Sequence, residues 1–246
     1  MGGAARRSGQ LELAVTGAKD RRGGRRKGAG RKPRPENARR GLVKHRTRPE
    51  HHHRHPVHVT LRVARGLPSL RNQTVQELLE GTIDRAKKDG WQVVHYSIQG
   101  DHVHLMIEAQ DKRALSSGVR RVVIAFARRF NRDVLGRTKG KIWGDRYHRR
   151  DLATPREVRN VLVYLFTNAV KHGERGASRF VLDRRSSALG FDGWAGIPAK
   201  MMQAFIGTRE PWRPPEARTW LLRVGWKKIH GPIVLGDAAK GARGLD

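Results

Sequence analysis

The stretch "QGDHVHLMIE", residues 99–108, places His102 and His104 on either side of Val103 in an otherwise apolar run. Side chains two apart on a strand point to one face, so both imidazoles project together while Val103, Leu105 and Ile107 turn into a core. Two imidazoles on one face are half of a metal site. The chain has no cysteine, so any ion must be held by histidine, carboxylate or amide groups. The plainer alternative is two polar positions on the wet face of a strand, and with 12 His in the chain the triplet alone does not choose between them. Further on, "YLFTNAVKHG" sets Tyr164 and Asn168 four apart, on one face of a helix beside the stripe Val158, Val161, Leu165 and Ala169. A phenol and an amide thus line up, although singly they are more often a half-buried aromatic and a helix-end amide than catalytic groups.

The elements that must position these residues are legible from periodicity. "PVHVTLRV" alternates Val57, Val59, Leu61 and Val63 inward with His58, Thr60 and Arg62 outward, as a half-buried strand does. Leu70, Val75, Leu78, Leu79, Ile83 and Ala86 then recur at helical spacing and stop at Gly90. "WQVVHYSIQ" and "HVHLMIEA" are β-rich runs joined across Gly100-Asp101, which predicts an antiparallel hairpin. A second helix carries Leu115, Val119, Val122, Val123, Phe126, Phe130 and Val134 on one side and Arg120, Arg121, Arg128 and Arg129 on the other. "KIWGDRYHRRDL" reads as a short strand, and Thr154-Pro155-Arg156-Glu157 as a capping box that opens a third helix running to His172. The order predicts an α+β fold, a ferredoxin-like antiparallel sheet with helices on one side.

Composition points to a polyanionic partner. Against 22 Asp and Glu stand 52 Lys and Arg, a net charge of +30 in 246 residues, so wherever these side chains emerge the surface potential is strongly positive. No run of about 18 apolar residues and no signal-like opening is present, which argues against a membrane and for nucleic acid in the cytoplasm, at the nucleoid. Residues 1–55 hold 17 Lys and Arg with Gly and Pro throughout and are expected to form a basic, largely disordered arm. Within it, "GRKPRP" would lay Arg31 and Arg34 in a minor groove, or serve only as a solvated basic tail, and "HHHRH" (51–55) lacks the fixed geometry of a metal cluster. Residues 56–173 read as the ordered domain, and 174–246, broken by Gly and Pro, as an appended small helical module. Arg120, Arg121, Arg128 and Arg129, with Lys139 and Lys141, are candidates for a groove along a nucleic-acid backbone.

Taken together, "GDHVHLMIE" and "YLFTNAVKHG" resemble the HUH-superfamily single-tyrosine transposases, and among them the REP-associated tyrosine transposases of bacteria. "GRKPRP", "HPVHVTLRVARGLPSLR" and "IWGDRYHRRDL" fall in the order of that group, so the resemblance spans roughly residues 29–173. One departure is visible: the family often reads Asn-Pro where this chain has Asn168-Ala169. The resemblance implies that His102, His104 and Asn168 bind Mg²⁺ or Mn²⁺ and that Tyr164 is the nucleophile. It implies DNA that is single-stranded or folded into hairpins from palindromic repeats, cut through a 5′-phosphotyrosine intermediate without ATP, by a homodimer or a monomer. Tyr147 is the rival nucleophile; flanked by Arg146 and Arg149 it reads instead as a base-stacking or phosphate-contact position. Two other classes explain the charge equally: a non-catalytic DNA- or RNA-binding protein and a structural component of a nucleoprotein assembly. Neither calls for an imidazole pair facing a tyrosine and an amide.

Overall fold

The computed structural model describes residues 47–171, 182–206 and 210–234, with the side chains of 168–171 outside the description. Arg31, Arg34, His172 and the Asn168 side chain therefore lie outside the described residues. Strands β1 (Val57–Arg62), β2 (Trp91–Ile98), β3 (His102–Ala109) and β4 (His148–Asp151) form one antiparallel sheet in the order β2-β3-β1-β4. Helix α1 (Gln73–Ala86) lies between β1 and β2 in the chain, and α2 (Lys112–Arg129) between β3 and β4. This is the ferredoxin-like α+β arrangement expected from the sequence.

Alternation along the strands divides the sheet into two faces. Val57, Val59 and Leu61 of β1 and Val103, Leu105 and Ile107 of β3 share one core with Val75, Leu79 and Ile83 of α1 and Leu115, Val119, Val122 and Phe126 of α2. Both helices start on a side-chain cap: Asn72 Oδ1 accepts from the Val75 amide at 2.9 Å, and Asp111 Oδ1 from that of Ala114 at 2.6 Å. Helix α2 approaches the sheet closely because Gly118 has no side chain; a Cβ there would meet the Trp91 indole at 2.2 Å.

The opposite face is covered too, so the expectation of helices on one side holds for α1 and α2 only. Helix α3 (Pro155–Lys171) sets Val158, Val161, Leu162, Leu165 and Phe166 in a second core with Val94, Met106, Leu182, Ala188, Phe191, Leu222 and Trp226. A bulge between Val93 and His95 makes this possible. Val94 and His95 both turn to the second face, and Tyr96 returns to the first core, where it is fully buried.

Two expectations for the flanks are corrected. The tail does not stand apart as an appended module, because it supplies part of the second core and is bonded to the sheet. Arg71 holds the buried Asp183 by two bonds of 3.1 and 3.0 Å, and the Glu108 carboxylate accepts from the amides of Arg218 and Thr219, each at 2.8 Å. Nor are residues 47–55 free tail. Arg48 stacks 3.5 Å above the Tyr147 ring, and His51 Nε2 bonds the Ala109 carbonyl at 2.8 Å. These pairings form between residues 58 or more apart, out of reach of any local pattern.

His95 gives the fold a measurable pH dependence. Its ring meets Phe166 and Phe191 edge-on, its Nδ1 lies 3.2 Å from Ser187 Oγ, and burial lowers its pKa from 6.5 to about 3. Below pH 6.5 the unfolded chain takes up a proton that the folded ring refuses. Stability is therefore lost as pH falls from about 6.5 toward about 3, by up to about 1.4 kcal/mol per pH unit for this group. His95→Leu is expected to flatten that slope between pH 6 and 4. Urea midpoints falling with the wild-type slope would show that His95 is not the titrating group.

Candidate active site

The second face of the sheet carries a cluster of three histidines and a tyrosine. The β1–β3 register sets Thr60 opposite His104 and Arg62 opposite His102, with His58 one pair further along. His102 and His104 are both buried, their ring centroids 4.6 Å apart and their planes at 87°. Helix α3 brings the tyrosine to them. Thr154 and Glu157 exchange the two bonds of a capping box, the Glu157 amide donating to Thr154 Oγ1 at 3.2 Å and the Thr154 amide to Glu157 Oε2 at 3.2 Å. With that start fixed, the stripe Val158, Val161, Leu162, Leu165 packs inward and Tyr164 emerges half-buried at its edge. The Tyr164 hydroxyl lies 3.3 Å from His104 Nε2, and the two ring centroids are 5.0 Å apart.

Each imidazole is oriented from its Nδ1 side. His102 Nδ1 bonds Asp101 Oδ1 at 2.6 Å. Burial opposes ionisation of Asp101, but the bond to His102 and the charges of His102 and Arg62 outweigh it and hold the carboxyl below its ordinary value. An ionised Asp101 accepts the Nδ1 proton and leaves the His102 lone pair on Nε2. His104 Nδ1 lies 3.1 Å from His58 Nε2 and 3.2 Å from Thr60 Oγ1. Burial, and then charge on the neighbouring His148, Arg150 and His102, lower the His58 pKa to about 4, so that His58 is neutral near pH 7. In the tautomer in which His104 donates from Nδ1 to His58 or Thr60, its lone pair is on Nε2, facing the Tyr164 hydroxyl.

This donor set fits a divalent ion. Two Nε2 lone pairs from adjacent rings, each backed by a bond at Nδ1, are the usual preparation of imidazole for a metal. Among the described residues no cluster of three His, Asp or Glu side chains closes around a single point.

Residues 51–165 match the family model described as IS200-like transposase. Over this segment, just under half of its length, the chain is similar to the IS200-like transposase family. The matched segment contains all four strands and both Nδ1-backed histidines, and it ends one residue beyond Tyr164. Among solved structures, a REP-associated tyrosine transposase bound to a REP hairpin is similar at 19% identity over 53% of this chain and 75% of that one, with a TM-score of 0.44. A crystal structure from Deinococcus radiodurans r1, described as that of a transposase, is similar at 17% identity over 46% of this chain and 87% of that one, with a TM-score of 0.33. No curated protein matches the chain.

The remaining residues singled out from sequence are distributed differently around the sheet. Arg120, Arg121, Arg128 and Arg129 lie on α2, which packs against the first face, so they stand across the sheet from the histidines. Arg120 and Arg128 are exposed there, whereas Arg121 bonds the Ala86 carbonyl at 3.2 Å. Arg149, expected to meet DNA, is committed internally: its side chain is 7% exposed, paired with Asp151 and bonded to the carbonyls of Pro49 and Glu50. Tyr147 has one ring face under Arg48 and packs against the first core, and Arg146 is half-buried beside it. The residues at the rim of the histidine face are instead Arg62, paired with Asp101, Arg150, paired with Glu157, and His148. His148 and Arg150 pair with Thr60 and His58 across β1 and β4. Alternation in "HRRD" carried this signal, since it separates His148 and Arg150 from Arg149 and Asp151; the same alternation in β1 puts His58 on the histidine face. Among the described residues no helix is long and apolar enough to cross a membrane.

Proposed function

We propose that the chain is a metal-dependent single-strand DNA transposase of the REP-associated tyrosine kind, cleaving and rejoining DNA at hairpin-forming repeats through Tyr164. The observation that carries this reading is the Tyr164 hydroxyl, held by a capped helix 3.3 Å from Nε2 of one of two Nδ1-backed histidines. His102 and His104 would hold Mg²⁺ or Mn²⁺ through their Nε2 atoms, with the Asn168 amide as third protein donor. The bound ion would neutralise charge developing on the scissile phosphate.

The work of the side chains follows from their placement. Arg62 and Arg150, paired with Asp101 and Glu157, stand with His148 at the rim of the face, where the DNA backbone would pass. The phenolic oxygen attacks phosphorus, the bond to the 3′-oxygen breaks, and the products are a Tyr164 ester of the 5′-phosphate and a free 3′-hydroxyl. One phosphodiester is exchanged for another, so the hydroxyl can reverse the step without ATP. The motif order from "GRKPRP" to "YLFTNAVKHG" supports hairpin DNA as the substrate.

The test is incubation with Mg²⁺ and labelled single-stranded DNA carrying imperfect palindromes, followed by denaturing electrophoresis. A labelled band at protein mass that resists denaturation is the expected result. Tight binding without such a band, across varied hairpins, would return the histidines to a merely structural role and leave a DNA-binding protein.

A further inference from the structure

A cavity of about 1090 Å³ opens at the other end of the sheet, lined by His53, Arg54, His55, the end of β3 at Glu108 and Ala109, and Arg218 to Leu221 of the tail. Its aromatic wall is unusual. Trp220 is 51% exposed, although the residues that follow it, Leu221, Leu222 and Trp226, are buried in the second core. A Cβ on Gly225 would meet the Trp220 ring at 2.5 Å, so the indole lies against bare backbone and cannot fold away on that side. An exposed indole on an anchored turn loses little entropy when something stacks on it. Arg54 and Arg218 are exposed at the same cavity and form no ion pair among the described residues. The one carboxylate in the lining, Glu108, is buried and already accepts from Gln92, Arg218 and Thr219.

We propose that this cavity binds an unpaired nucleotide of the DNA substrate, its base stacked on Trp220 and its phosphates beside Arg54 and Arg218. The combination of an aromatic plane and free cations is that of a single-strand platform, which every base satisfies because every base has a π face. The site rests on the proposed DNA transposase reading and adds a second point of contact to it. His102 and the cavity mark opposite ends of β3, seven residues and about 23 Å apart, the length of roughly seven stacked nucleotides. A hairpin with a single-stranded extension of that length therefore reaches both.

The experiment compares hairpins bearing no extension with hairpins bearing ten mixed nucleotides at the 5′ or 3′ side, measuring Kd by anisotropy and adduct formation on the same DNAs. Wild type is expected to bind one extended hairpin on the order of tenfold more tightly than the bare one. Trp220→Ala is expected to lose that gain and Trp220→Phe to keep much of it. Arg54→Ala and Arg218→Ala are each expected to lower the salt slope of the gain by about one. Equal wild-type affinity for bare and extended hairpins overturns the proposal, as does a Trp220→Ala variant that keeps the gain. Absence of any wild-type adduct on all of these DNAs overturns the transposase reading instead, whichever way the affinities fall.

Discussion

Tyr164→Phe is expected to abolish the covalent protein–DNA adduct and to lower strand cleavage by on the order of 10⁴-fold or more, while hairpin affinity stays within about threefold. The two halves of this result have different origins. Cleavage through a phosphotyrosine needs the phenolic oxygen itself, and nothing else in the cluster supplies one: Tyr147 lies under Arg48 and Tyr96 is fully buried in the first core. Affinity rests on charge and stacking, neither of which Phe removes. The Tyr164 ring meets His104 edge-on with centroids 5.0 Å apart, a contact that Phe reproduces, so the helix should dock as before. Adduct formation by the Phe variant would move the nucleophile to another residue, which peptide mapping of the adduct would identify.

His104→Ala and His102→Ala are expected to lower adduct formation by at least about 100-fold and, independently of DNA, to weaken Mn²⁺ binding read by electron paramagnetic resonance. The comparison that gives this its meaning is His58. Its Nε2 touches His104 Nδ1, not the Nε2 assigned to the ion. His58→Gln can still offer an acceptor to that Nδ1, whereas His58→Leu cannot, so Leu is expected to weaken Mn²⁺ binding about tenfold relative to Gln. Equal binding by the two variants would leave Thr60 Oγ1, 3.2 Å from the same nitrogen, as the group that orients His104.

Local pattern carried most of the fold and part of the site. The β1 alternation, the stripes of α1, α2 and α3 and the Thr154–Glu157 box are properties of neighbours within one turn or one pleat, and each appears where spacing predicts it. His102 and His104 share a face for the same reason. What spacing did not carry is which face each helix covers and which cations surround the histidines. The arginines of α2 looked like a groove because they are sequential neighbours, yet the sheet lies between them and the site. Arg149 looked like a DNA contact because it stands among basic residues; it pairs with Asp151 two positions along the same strand and with the carbonyls of Pro49 and Glu50, about a hundred positions away. The tail's share of the second core was hidden similarly. Its contacts with Gln92, Arg71 and Glu108 close over more than a hundred residues, and short Gly- and Pro-broken elements give no periodicity that would announce them.

Those long closures have a consequence for when the site is completed as the chain is made. Asp183 is bonded to Arg71 across 112 positions, and Thr219 to Glu108 across 111. The first face of the sheet can assemble once β4 has emerged, but Phe166, Met106 and Val94 stay uncovered until Leu222, Trp226 and Ile233 arrive. Loop closure over such distances is slow relative to local structure. A nascent chain that has just delivered Tyr164 therefore still lacks the packing that seats its helix on the histidine strand. Under the proposed reading, the strand-cutting centre would mature only after translation has passed residue 233, so that synthesis itself would act as a safety catch on DNA breakage.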